Sequence, residues 1–215
     1  MDRILKSIRL IEGRIKGWVV PSVTKIARRR DPYRVLVSCI LSLRTKDKTT
    51  IEASNRLFKV ADDPRSMLKL NENRIRKLIY PVGFYRNKSR VILGLGRRII
   101  EEYSGRVPDS LEELLKLKGV GRKTANLVLG LGFGIPAICV DTHVHRISNR
   151  LGWVSTKTPE QTENALRKII PRREWINLNT TLVTFGQNLC LPVSPFCSKC
   201  DVYEFCERRG VNKSR

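Results

Sequence analysis

The chain has 215 residues, with 42 Lys and Arg against 20 Asp and Glu, a formal net charge of +22. That length supports one large or two modest domains with real cores, and that charge favours a polyanionic partner, most simply nucleic acid. No apolar run approaches the ~20 residues of a membrane span, and Met-Asp-Arg at the start lacks a secretory h-region, so an intracellular, reducing setting is expected.

Nearly every segment carries helical periodicity, and none alternates apolar and polar residues as a half-buried strand does, so the fold class reads as all-α. Ile4, Ile8, Ile11, Ile15 and Trp18 trace one face of a first helix that Pro21 ends. A basic run at 25–30 leads to Asp31-Pro32, a cap followed by proline at the first helical position. Tyr33, Leu36, Val37, Ile40 and Leu41 carry this helix to a polar link, Leu43-Arg44-Thr45-Lys46-Asp47. A helix over 51–60 follows, then a short one opened by Asp63-Pro64, then one over 72–79 capped by Asn71. The stretch from Pro81 to Arg86 reads as a loop, with a long helix from there to about Tyr103.

Gly105 and Pro108 separate that helix from Ser110, which with Glu113 reads as a capping box over Leu111, Leu114 and Leu115. Gly119-Val120-Gly121 then turns the chain into a helix with Ala125, Val128, Leu129 and Gly132 on one face. The glycines permit positive φ and close approach. Their amides and the first helical amides are expected to face outward, a ready site for an anion such as a phosphodiester. Lys123 stands at the start of this helix, and Asp141 is the expected N-cap of a helix over 142–151. A helix of about ten residues rises about 15 Å, and residues 133–140 reach roughly 26 Å when extended. The connection can therefore return Asp141 to Lys123, placing an amine and a carboxylate in one phosphate-lined pocket.

Two tempting signals are set aside. No strand precedes Gly130, Gly132 and Gly134, so close helix packing explains them better than a nucleotide loop. Asp141, His143 and His145 diverge at i and i+2 on a helix, so they do not form a metal triad. Further along, Thr158-Pro159-Glu160-Gln161 opens a helix that Pro171 stops, and 175–189 reads as the last long one. Cys190, Cys197, Cys200 and Cys206 follow C-x6-C-x2-C-x5-C within seventeen residues. In a reducing setting they read as a closed metal site, for which zinc and a [4Fe–4S] cluster are both candidates. Cys39 and Cys139 have apolar neighbours and read as small buried hydrophobes.

LKGVGRKTA at 117–125 followed by VDTHVHR at 140–146 resembles the helix-hairpin-helix plus Gly-Pro-Asp signature of the endonuclease III family of DNA glycosylases. The resemblance covers roughly residues 25–210, and the cysteine spacing is that of the family's cluster. It implies a two-lobed helical fold: a barrel over 25–135 with its helix-hairpin-helix at about 111–132, and a cluster domain from 1–24 plus 136–215. DNA would lie in a cleft with Lys123 and Asp141 at its mouth. The cofactor implied is a [4Fe–4S] cluster on the four cysteines, fixing the C-terminal tail. One departure stands out: the loop between Cys190 and Cys197 has no Lys or Arg, with only Lys199 close by, which argues against phosphate contact there.

The resemblance also implies roles. Double-stranded DNA with a damaged base or an abasic site would be the partner, bound by a monomer in a prokaryotic cytoplasm or nucleoid. The damaged nucleotide is flipped from the stack. Lys123, as a free amine, attacks C1′ and displaces the base. Asp141 stabilises positive charge on the sugar and assists proton transfer. The Schiff base then permits β-elimination on the 3′ side. Gly119, Val120, Gly121 and Arg122 would grip DNA at the hairpin. Arg44 stands where relatives usually carry Gln and would fill the vacated hole, with guanine the readiest acceptor. Phe84 matches a wedge position that is often Leu, with a loop anchor in the core as the competing reading. The function expected is a bifunctional DNA glycosylase and AP lyase for oxidised pyrimidines. Two alternatives stay open: a mismatch glycosylase, whose relatives usually lack a lysine at the 123 position, and a non-catalytic, metal-bearing DNA-binding module.

Overall fold

The computed structural model describes residues 2–215, the side chains of Asp2 and Arg29 excepted. Among the described residues every regular element is helical. The α-helices are α1 (Asp2–Arg14), α2 (Ser22–Ile26), α3 (Pro32–Ser42), α4 (Asp47–Phe58), α5 (Pro64–Leu68) and α6 (Glu72–Ile79). They continue with α7 (Tyr85–Tyr103), α8 (Leu111–Lys116), α9 (Arg122–Leu127), α10 (Thr142–Arg150), α11 (Pro159–Ile169) and α12 (Trp175–Asn188). The chain divides into two compact units, Ser22–Ile135 and Met1–Pro21 with Pro136–Arg215.

Most of the starts follow from local chemistry. Asp31 accepts the Arg34 amide at 3.0 Å ahead of Pro32, Asn71 accepts that of Arg74 at 2.8 Å, and Thr158 that of Gln161 at 3.2 Å. Asp63 does more than open α5: with Ser66 it closes a full capping box. At α8 only half of the expected box forms. Ser110 takes the Glu113 amide at 3.2 Å, but the Glu113 carboxylate turns to the Tyr103 hydroxyl at 2.9 Å and to Lys116.

Three boundaries differ from expectation. The first helix stops at Arg14, short of Trp18, because Gly17 takes φ +81. The basic run before Asp31 is itself helical, as α2 and a 3-10 turn over Ala27–Arg29. The helix after the hairpin is α-helical only to Leu127 and widens into a π turn over Val128–Phe133. That turn packs on α3, and a Cβ on Gly132 would sit 2.8 Å from Pro32 Cα. Backbone contact with another helix explains the glycine.

In the Ser22–Ile135 unit α3 is central. Its residues from Val35 to Leu41 are all buried, and it packs against α2, α4, α7, α9 and the π turn. Leu57, Met67, Ile75, Ile79, Ile92, Leu95 and Ile99 fill the space around it, each worth roughly 1.5–3 kcal/mol of burial. The other unit has its own core, in which Ile8 and Ile11 of α1 meet Val144 and Ile147 of α10, Leu166 of α11, and Leu178, Leu182 and Phe185 of α12. Val202, from the cysteine-rich tail, belongs to the same core.

Candidate functional site

The hairpin is built by a turn that requires glycine at position 119. Gly119 has φ +85 and Gly121 an extended backbone with φ −96 and ψ 174. Between them Val120 is 6% exposed, and its amide donates to the Leu117 carbonyl at 3.0 Å. Val120 therefore holds the turn together, with its side chain in the core and its amide turned inward. Gly121 caps α9 without any side chain, and a Cβ there would meet nothing within 4 Å. Arg122 is half-buried and Lys123, the second residue of α9, is exposed. Beneath the helix lies Cys39, whose thiol burial pushes up to about 12 against the opposing pull of the Lys123 charge.

Asp141 is the N-cap of α10. Its Oδ1 accepts the amides of His143 and Val144, both at 2.9 Å, which fixes the carboxylate in orientation. The two histidines after it point elsewhere: His145 Nδ1 lies 2.6 Å from Thr162 Oγ1, and His143 Nδ1 lies 3.1 Å from the Arg146 guanidinium. Lys123 belongs to one unit and Asp141 to the other.

Arg44 and Phe84 occupy two loops of the Ser22–Ile135 unit, and both have positive φ, +51 and +57. Phe84 is 62% exposed, which removes the reading of it as a core anchor. The Arg44 guanidinium lies 5.6 Å from the Phe84 ring centroid. The residue beneath them, Lys88, was missed by sequence reasoning. It shares the inward face of α7 with Ile92, Leu95 and Ile99, and a lysine at 3–4 spacing with three core residues was the available signal.

The four cysteines line one cavity, walled by Ile147, Phe185, Leu189 and Val202. Burial pushes the Cys200 thiol up to about 11, with Cys190, Cys206 and Cys197 adding to the shift. A positively charged core is what would let four thiolates share this space.

Two arginines of α10 tie that tail to the helix. Arg146 donates to the Cys190 carbonyl at 2.8 Å. The buried Arg150 donates to the Leu191 and Pro192 carbonyls at 2.6 and 2.7 Å and approaches Cys190 Sγ at 3.5 Å. The loop between Cys190 and Cys197 has no basic residue of its own, yet Arg215 and Lys199 both flank Phe196, at 4.1 and 5.9 Å from its ring centroid. Arg215 is bound back by its amide to the Pro195 carbonyl at 2.8 Å.

Residues 37–172 match the HhH-GPD superfamily of base excision DNA repair proteins. Endonuclease III of Thermotoga maritima is 51% identical over 191 residues, 87% of this chain and 90% of that protein. A chloroplastic endonuclease III homolog of Arabidopsis thaliana is 44% identical over 81% of the chain, which spans about half (47%) of that longer relative. Among solved structures, a trapped endonuclease III–DNA covalent intermediate aligns with TM-score 0.83 at 32% identity, covering 96% of this chain and 95% of that one. A thermostable thymine-DNA glycosylase aligns with TM-score 0.84 at 26% identity over the same shares. The chain belongs to the endonuclease III family of the HhH-GPD superfamily.

Proposed function

We propose that the protein is a bifunctional DNA glycosylase and AP lyase that removes oxidised pyrimidines from duplex DNA. The observation that carries this is a lysine in the first turn after the hairpin, in a chain half identical to an endonuclease III and carrying a capped aspartate at 141. Lys123 Nζ attacks C1′ of the extruded nucleotide, and the base leaves with the glycosidic electron pair and takes up a proton. Opening of the sugar gives an imine, loss of a C2′ proton follows, and the 3′ phosphate is expelled. Asp141 stabilises the positive charge that develops on the sugar. Gly121 and the start of α9 receive a phosphate. Cys190, Cys197, Cys200 and Cys206 hold a [4Fe–4S] cluster, which supplies four bonds that fix the tail. The likeness to a thymine-DNA glycosylase lies in shape; the family's mismatch enzymes usually lack a lysine at the 123 position, so Lys123 favours the lyase.

Borohydride trapping on duplex DNA carrying thymine glycol tests the reading. Wild type is expected to give a covalent complex and Lys123→Gln none. No trapping by wild type, on this duplex or on an abasic site, would overturn the lyase; base release alone would then leave a monofunctional glycosylase.

A further inference from the structure

Lys88 is 5% exposed, and burying an ammonium is costly unless each proton has an acceptor. Its Nζ donates to the Leu41 carbonyl at 2.9 Å, the Leu43 carbonyl at 2.5 Å and Thr45 Oγ1 at 3.2 Å. Three acceptors match the three donors of the group. Burial pushes Lys88 down to about 8, and the three oxygens act in the opposite sense, so the group is charged at neutral pH. All three acceptors lie at the end of α3 or in the link that follows it, on either side of Arg44.

The same residue reaches the second loop. The Lys88 amide donates to the Phe84 carbonyl at 3.0 Å. Thr45 Oγ1, already bonded to Lys88, accepts the Gly83 amide at 3.2 Å. A Cβ on Gly83 would lie 2.5 Å from the Arg44 carbonyl oxygen, so the two backbones touch. Arg44 and Phe84 both hold left-handed backbone, a conformation that non-glycine residues keep only when their surroundings impose it. Exposed tips in an unfavourable conformation, over a saturated buried cation, describe a preformed device rather than two mobile loops.

The geometry points to Lys88 as a positioning residue that locks the Arg44 and Phe84 loops into one two-pronged unit, which enters the duplex at the damaged pair. This rests on the glycosylase reading for what the unit does. A lysine that merely stabilised the fold would weaken every activity independently of Arg44; a positioning lysine acts through Arg44 and is coupled to it.

The test is a double-mutant cycle with Lys88→Met, which keeps chain length, and Arg44→Ala. The primary readout needs no chemistry: the affinity and fluorescence response on a duplex with 2-aminopurine opposite a tetrahydrofuran abasic-site analogue. Each single variant is expected to weaken the response about tenfold, and the double variant to do no worse than about twice the weaker single, not the ~100-fold of independent sites. Thr45→Val, which removes the hydroxyl shared by the two loops, carries the same cycle if Lys88→Met fails to fold. Multiplicative losses, or a wild-type response in both Lys88→Met and Thr45→Val, would overturn the assignment. Base release by wild type from thymine glycol is measured in parallel. Its absence would sink the glycosylase reading, while the binding cycle would still decide the coupling.

Discussion

Gly119 and Gly121 flank one turn but have different reasons to be glycine, and alanine at each position separates them. At Gly119 the backbone has φ +85 and a Cβ would meet Val91 Cγ1 at 3.0 Å. Left-handed backbone costs a non-glycine residue about 1–2 kcal/mol, and displacing a branched side chain of α7 adds to it. Gly119→Ala is therefore expected to lose about 2 kcal/mol and to melt about 4–8 °C lower. At Gly121 the backbone is extended and a Cβ meets nothing within 4 Å. Alanine is the poorer N-cap there by up to about 1 kcal/mol, but it restrains the unfolded chain by about 0.4–1 kcal/mol. The two offset, and stability should stay within about 0.5 kcal/mol. Binding is another matter. A methyl in that open space holds a phosphate off the helix amides, and a charge-assisted hydrogen bond of about 1.5–3 kcal/mol is lost, roughly 10- to 100-fold in Kd. Urea unfolding and fluorescence anisotropy with an abasic-site duplex at one fixed salt concentration measure the two effects. A Gly121→Ala protein that binds like wild type, or that loses as much stability as Gly119→Ala, refutes the argument.

Other expectations follow from the same geometry. Asn caps a helix as well as Asp does, so Asp141→Asn should keep its stability within about 0.5 kcal/mol while trapping slows by ~10²–10⁴-fold, the usual worth of a catalytic acid–base group; a melt and a trapping time course decide. Cys200→Ala should cost the purified protein its iron–sulfur absorbance and make residues 190–215 an early target of limited proteolysis. Metal analysis that finds one zinc per wild-type chain would contradict the cluster. Lys88 is protonated in both folded and unfolded states below about pH 8, but between there and 10.5 the unfolded chain binds a proton that the folded one does not. Stability thus rises with pH across that window, so wild type should gain on Lys88→Met, by at most about 3 kcal/mol; urea midpoints at pH 7 and pH 10 that move in parallel would show the residue is not so perturbed.

What could be read from the sequence is what is decided within a few residues. The caps Asp31, Asn71, Thr158 and Asp141 each bond an amide two or three positions ahead, so spacing alone suffices. Glu113 shows the limit: its partner in the expected box lay three residues back, but Tyr103 and Lys116 took its carboxylate. The glycine at 132 answers to Pro32, far off in sequence, and no local signal announces the π turn over Val128–Phe133 in which it sits. Lys88 stood in plain view on an apolar face, yet its acceptors are 43 to 47 residues away. Arg215 likewise reaches the cysteine loop only through the folded tail. The loop's own composition pointed to a surface without positive charge, and the fold supplies that charge from outside it.

The two helix starts that carry the candidate chemistry are finished in opposite ways. At α10 the chain provides its own anion: Asp141 takes two amides and is held in place by them. At α9 it provides no capping side chain. The cap is a glycine, the first turn has no acidic residue, and Arg122 and Lys123 stand there instead. Cations at a helix N-terminus oppose the macrodipole, each by about 0.3–1 kcal/mol, so for an isolated helix this start is built backwards. Stability alone would have selected Asp, Ser or Glu at these positions, as it does at α5, α8 and α11. The start of α7 breaks the same rule, with Phe84 at its N-cap making no side-chain bond and Arg86 but no acidic residue in its first turn, and local rules fail most often at functional positions. Under the proposed function a DNA phosphate at α9 brings negative charge to the helix start, and the two cations there then favour its binding.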